Sequence, residues 1–148
     1  KTMDAGEYES EPFYKAGADI CTVLGASGIA TIKGVIAAAN KYGKECQVDM
    51  INVDNKEELT KEAVAAGAQI IGVHTGLDAQ AAGATPFEDL ASIAALNTGA
   101  KISVAGGVKA ATAQQVKDAG AAIIVAGAAI YGAADPAASA AEITAIAH

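Results

Sequence analysis

Five parallel strands alternating with helices make up the α/β fold that this sequence predicts. A recurring phrase carries the prediction. Ala16-Gly17-Ala18-Asp19-Ile20 returns as Ala66-Gly67-Ala68-Gln69-Ile70 and as Ala119-Gly120-Ala121-Ala122-Ile123, with Thr98-Gly99-Ala100-Lys101-Ile102 and Tyr42-Gly43-Lys44-Glu45-Cys46 as looser copies. Each copy follows an amphipathic segment, and its Gly suits the left-handed turn that ends a helix. Each precedes a short run of apolar residues on both faces, as a strand buried within a parallel sheet reads.

In chain order, residues 5–16 form a first helix and 19–25 the first strand. Ile29, Ile32, Ile36 and Ala39 recur at helical spacing and place a helix over 28–42. A strand at 45–51 follows. Asn55 with Glu58 has the capping-box pattern, so 55–66 is helical. After a strand at 69–74, Thr85-Pro86-Phe87-Glu88 starts a helix with a cap, a first-turn Pro and a glutamate at N3. Strands at 101–105 and 122–127 flank a helix at 110–119, and Asp135-Pro136 opens the last helix. Alternation at this spacing implies right-handed crossovers.

Composition narrows the function classes. The chain has 148 residues, 52% of them hydrophobic and 18% charged, enough for a packed core and unlike a disordered segment. A net charge of −7 argues against nucleic acid or an anionic membrane as partner. The longest uncharged stretch, between Asp118 and Asp135, is short of the ~20 residues that span a bilayer. Cys21 and Cys46 lie in apolar runs without CxxC or Cys/His spacing, which excludes a zinc site of the usual kind and suggests buried, inert thiols in a reducing cytoplasm. All ten basic residues are Lys. An anionic ligand must therefore be held by Lys, backbone N–H groups or a metal.

Polar residues collect where strands end. The first strand runs into Gly25-Ala26-Ser27, the second into Asp49 and Asn52, the third into His74-Thr75-Gly76, the fourth into Gly106-Gly107 and the fifth into Gly127. Ligands of parallel α/β folds bind at that end. Val104-Ala105-Gly106-Gly107 and Val125-Ala126-Gly127-Ala128 fit a phosphate loop, since small residues let backbone N–H groups close on an anion; tight turns are the structural alternative. His74, at the mouth of a loop, suits acid–base chemistry near neutrality. Asp49 shares a face with Gln47, and a buried carboxylate there needs a cation or donor. Lys1 and Asp4 precede the first helix, where Asp4 could also be an N-cap with Glu7 at N3.

These residues resemble a known family. Lys1-Thr2-Met3-Asp4-Ala5-Gly6 looks like the end of the Asp-x-Lys-x-x-Asp motif of the orotidine 5′-monophosphate decarboxylase superfamily. Gln47-Val48-Asp49-Met50-Ile51-Asn52, the run from Gly72 through His74-Thr75-Gly76-Leu77-Asp78-Ala79-Gln80 to Gly83, and Val104-Ala105-Gly106-Gly107-Val108 are similar to its 3-hexulose-6-phosphate synthase branch. The resemblance covers the whole chain. It implies a (β/α)8 barrel, of which residues 1–148 are a partial domain running from the end of strand 3 through helix 8. It implies an aldehyde-lyase type synthase that joins formaldehyde to D-ribulose 5-phosphate, giving D-arabino-hex-3-ulose 6-phosphate through a Mg²⁺-stabilised enediolate. Lys1 would donate to the enediolate oxygen, and His74 would move a proton at C1 with Asp49 nearby. Asp4 would serve the neighbouring subunit of a homodimer, and Gly106, Gly107, Gly127 and Ala128 would cradle the phosphate.

The sister branch of 3-keto-L-gulonate-6-phosphate decarboxylases has an Arg where this chain has Leu77 and a Glu in place of Asp49, which favours aldol chemistry here. The family's metal-binding carboxylates are expected upstream of Lys1. Five strands cannot close an eight-stranded barrel, so the 148 residues alone are expected to be inactive. The competing expectation is a catalytically silent phosphate-binding or assembly module, built as a flavodoxin-like open sheet.

Overall fold

The computed structural model describes residues 1–148. Its elements are α1 (Gly6–Lys15), β1 (Ile20–Leu24), α2 (Ile29–Tyr42), β2 (Glu45–Asp49), α3 (Lys56–Ala65), β3 (Ile70–His74), α4 (Leu77–Ala81), α5 (Phe87–Ala95), β4 (Lys101–Ala105), α6 (Ala110–Asp118), β5 (Ile123–Val125), α7 (Ala128–Tyr131) and α8 (Pro136–Ala147). Strand order follows chain order, β1-β2-β3-β4-β5. That order overturns the flavodoxin-like alternative, because doubly wound sheets reverse direction at a switch point. Sequential order is what a singly wound barrel wall requires. No helix is long and apolar enough to cross a membrane.

The chain divides into two compact units. The first holds Lys1–Gly72 with Leu96–Ala100. Here β1 and β2 run parallel with Ile20 opposite Glu45 and Leu24 opposite Asp49, and Asp49 pairs in turn with Gly72. Val23, Val48, Ile70 and Ile71 are wholly buried in the strands, as are Ile32 and Val35 from α2. Burial on this scale, at roughly 25 cal/mol per Å² of apolar surface, is the main stabilising term.

Two glycines set the packing of this unit. A Cβ on Gly6 would lie 2.1 Å from the Thr31 carbonyl oxygen, and one on Gly34 would lie 2.8 Å from the Glu7 nitrogen. Backbone therefore meets backbone where α1 crosses α2, and no side chain fits between them. Tyr14 fixes the far end, its hydroxyl donating to the Glu45 carbonyl at 2.7 Å while its ring stacks on Tyr42.

The second unit holds Val73–Ala95 with Lys101–His148. β4 and β5 are parallel, Ser103 opposite Ile123 and Ala105 opposite Val125. Val73, Val104, Leu90 and Val116 are wholly buried. Asp135 caps α8 as its sequence indicates, accepting from the Ala138 N–H at 2.9 Å.

Several expected details are corrected. Asn55 precedes α3 without capping it; its amide donates to Glu58 Oε2 at 3.3 Å instead. Asp4 is not the cap of α1 either, since Ala5 holds that position in the left-handed conformation (φ 48°). β2 ends at Asp49 rather than 51, because the Asp49 carboxylate accepts the Ile51 N–H and turns the chain. β5 is confined to 123–125, giving way at Gly127 to the short helix α7. Both cysteines are free thiols on adjacent strands, directly paired in register. Burial pushes the Cys46 thiol up to about 12 and raises that of Cys21, so neither is a nucleophile at neutral pH.

Gly6→Ala in the protein as encoded should forfeit about 1–3 kcal/mol of stability, the range for forcing atoms into a packed contact. Urea denaturation measures it; an unchanged midpoint would show that α1 and α2 can separate freely.

Candidate active site

Asp49 is the last residue of β2 and is 3% exposed. A carboxylate so buried needs partners, and Lys1 and Ile51 supply two of them. Lys1 Nζ forms an ion pair with Oδ2. The Ile51 N–H donates to Oδ1 at 2.9 Å. The requirement for a cation was legible in the sequence; the structure identifies it as Lys1, whose side chain is 38% exposed and so reaches solvent from the buried anchor.

Lys1 is placed by its neighbour. Thr2 joins the edge of β1 in a parallel bridge opposite Val23, its N–H donating to the Thr22 carbonyl at 2.8 Å and its carbonyl accepting from the Leu24 N–H at 2.9 Å. Asp4 is exposed, and its Oδ1 accepts from the Ala5 N–H at 2.8 Å. Ala5 holds its unfavourable left-handed turn just before Gly6 enters the α1–α2 crossing. The structure thus joins Lys1 to Asp49 and leaves Asp4 facing solvent.

In the second unit, His74 ends β3 and lines a cavity of about 510 Å³. Gly106, Gly107, Gly127 and Ala128 line the same cavity. All five sequence-predicted residues of this unit therefore meet at one concave surface, of the size of a small-molecule site. Gly106 and Gly107 have φ of 108° and 71°, open to glycine at little cost. A Cβ on Gly106 would also lie 2.4 Å from the Thr75 carbonyl oxygen. Gly127 differs: its φ is −112°, and an added Cβ would meet only the Tyr131 ring at 3.5 Å. Its lack of a side chain leaves the wall open to a ligand.

The sequence reading passed over Gln80, Lys109 and Tyr131, which line this cavity too. Lys109 directly follows Gly106-Gly107-Val108 and precedes α6. In a chain of net charge −7, it brings a lysine to a wall whose other polar side chains are His74, Gln80 and Tyr131. The signal was there, one Lys beside a double glycine in a chain without Arg. Leu77 is 75% exposed at the same wall. No group of three or more His, Cys, Asp or Glu side chains is arranged to hold a metal ion.

A sequentially ordered parallel sheet with polar residues and glycine loops at its strand ends belongs to the (β/α)8-barrel class, whose sites sit at that end of the strands. The chain belongs to the orotidine 5′-phosphate decarboxylase / HUMPS family, which it matches over residues 1–143. It is 72% identical over 147 residues to the 3-hexulose-6-phosphate synthase of Methylomonas aminofaciens, a match covering 99% of this chain and 70% of that protein. It superposes on the crystal structure of 3-hexulose-6-phosphate synthase from Salmonella typhimurium with a TM-score of 0.94 at 41% identity, over 99% of this chain and 70% of that one. The 3-keto-L-gulonate-6-phosphate decarboxylase of Vibrio cholerae is more distant, at TM-score 0.82 and 26% identity over 99% of this chain and 68% of that one.

Lys1→Met should destabilise the protein more than Asp49→Asn, because the first strands a buried carboxylate whereas the second leaves a cation that can turn to water. The expected loss for Lys1→Met is about 1–3 kcal/mol, reduced from the range for fully buried pairs by exposure of the ammonium. Paired denaturation curves test the ranking, and the reverse order would mean that Lys1 depends on Asp49 rather than Asp49 on Lys1.

Proposed function

We propose that this protein is an aldehyde-lyase type synthase that condenses formaldehyde with D-ribulose 5-phosphate to give D-arabino-hex-3-ulose 6-phosphate. The observation that carries the reading is the convergence of His74, the Gly106-Gly107 loop and Gly127-Ala128 on one cavity, in a chain 72% identical to a named synthase. The 3-keto-L-gulonate-6-phosphate decarboxylase reading has less support, from lower identity and from Leu77 at the position where that branch carries Arg.

The chemistry divides among the residues. Gly106, Gly107, Gly127 and Ala128 hold the substrate phosphate with backbone N–H groups, and Lys109 adds charge. His74 takes a proton from C1, for which imidazole is suited near neutral pH. The electron pair left on C1 delocalises as an enediolate, whose oxygen accepts a hydrogen bond from the Lys1 ammonium. Asp49 holds that ammonium in place. C1 then attacks the formaldehyde carbon; the new C–C bond forms as the carbonyl pair moves to oxygen, and the resulting alkoxide takes up a proton. Atoms and charge balance without an external oxidant or reductant.

Mg²⁺ is the proposed cofactor, supplying Lewis-acid stabilisation of enediolate charge when bound. Residues 1–148 do not by themselves form its cage. Its ligands would come from carboxylates beyond them and from the substrate, in keeping with the ion's habit of binding through one or two carboxylates plus substrate oxygens. Residues 1–148 are proposed as part of one (β/α)8 domain, assembled as a homodimer in the cytoplasm. Exposed Met3, Tyr8 and Phe13, in the same N-terminal segment as exposed Asp4, suit a subunit contact in which Asp4 serves the neighbouring site.

The protein as encoded should consume formaldehyde only with ribulose 5-phosphate and Mg²⁺ present, and lose that activity on chelation. His74→Ala should lower kcat by about 10²–10⁴, the usual contribution of a general acid–base group. A His74→Ala variant of full activity would remove His74 from the mechanism.

A further inference from the structure

Gln80 lies on α4, one turn beyond Gly76. Its side-chain amide donates to the Thr75 carbonyl at 2.7 Å. Its other amide atom, Oε1, lies 3.1 Å from where a Cβ on Gly107 would stand. The side chain is thus wedged between the loop after β3 and the loop after β4. It lines both the 510 Å³ cavity and an adjoining one of about 230 Å³, the wall between them including Gly106 and Gly107.

Thr75 is the hub of this arrangement. It is 7% exposed, its N–H donates to the Ala105 carbonyl at 3.1 Å, and its carbonyl oxygen is the atom a Cβ on Gly106 would strike at 2.4 Å. The Gly106 backbone therefore rests directly on the Thr75 peptide. Whatever fixes that peptide fixes the floor under the double glycine. The backbone of Gly106 and Gly107 has no side chains to lock it and sits in the left-handed region, so its N–H groups can be aimed only from outside.

We infer that Gln80 is a positioning residue for anion binding: by holding the Thr75 carbonyl and abutting Gly107, it presets the Gly106-Gly107 loop for the phosphate of the substrate. The inference rests on the phosphate-binding part of the proposed function and extends it to a residue that does not touch the reacting carbon. A preset loop loses less freedom on binding, so the effect falls on affinity rather than on the chemical step.

Gln80→Met keeps the length of the side chain and removes the amide. In the protein as encoded, inorganic phosphate titrated by calorimetry should bind about tenfold more weakly to Gln80→Met than to wild type, as expected for loss of one part-buried hydrogen bond. KM for ribulose 5-phosphate should rise by a similar factor with kcat within twofold. Equal phosphate affinities would overturn the inference, as would absence of phosphate binding by wild type, or a fall in kcat at unchanged KM. If Gln80→Met does not fold, Gln80→Ala is read in the same way; should neither fold, the bond is a folding contact and the inference fails. Weaker phosphate binding by the variant of a protein that shows no synthase activity would uphold the inference and refute the proposed reaction.

Discussion

The buried carboxylate of Asp49 constrains everything around it. Moving an unpaired carboxylate out of water costs several kcal/mol even after relaxation. At 3% exposure, Asp49 persists because Lys1 and the Ile51 N–H answer both of its oxygens. The first contact pins residues 1–2 along β1, where Thr2 completes the edge through two backbone hydrogen bonds. The second turns the chain out of β2 and ends the strand. One side chain thus sets a strand end, holds residues 1–2 beside β1 and fixes a lysine whose side chain reaches solvent. The pair places that lysine at a strand's C-terminal end, the end where parallel α/β folds bind their ligands.

Glycine contacts do for the loops what the ion pair does for Lys1. Where α1 crosses α2, Gly6 and Gly34 let backbones touch, and this close crossing begins two residues after Asp4. Where β4 ends, Gly106 rests on Thr75. In both places, the absent Cβ lets one main chain index another, giving more exact placement than an intervening side chain with rotamer freedom would.

Much of this was legible beforehand, and the reasons are specific. The Gly-containing phrase that ends each helix placed all five strand starts within one residue. It works because a helix stop and a buried parallel strand each have a strong local signature. The short helices α4 and α7 were missed because one turn carries no periodicity to read. Asn55 misled because its capping signature was satisfied by a side-chain bond to Glu58 instead. Within the site, His74 and the glycines stood out as polar or small residues at the ends of apolar runs. Gln80 and Lys109 did not, since a polar residue in a loop looks like any solvated one until the fold turns it toward a cavity. The need of Asp49 for a cation was readable, but the identity of Lys1 depends on a pairing across 48 positions that only the β1 edge creates.

The missing arginine ties these features together. For the phosphate proposed above, these 148 residues, of net charge −7, present an unfavourable field, and a guanidinium would be the simplest remedy. This chain has none. Backbone N–H groups can substitute, because they carry fixed partial charge without adding a mobile side chain, but only if the peptides that bear them are already aimed. Aiming requires glycine for the conformation and a rigid support beneath it. The left-handed Gly106 and Gly107, the Thr75 peptide under Gly106 and the amide of Gln80 between Thr75 and Gly107 are the support that such a strategy demands. In the proposed site, Lys109 adds attraction from the cavity wall. A site built this way favours a ligand by shape and preset dipoles. It leaves the position of Leu77 apolar, where an arginine would bring charge to the cavity wall.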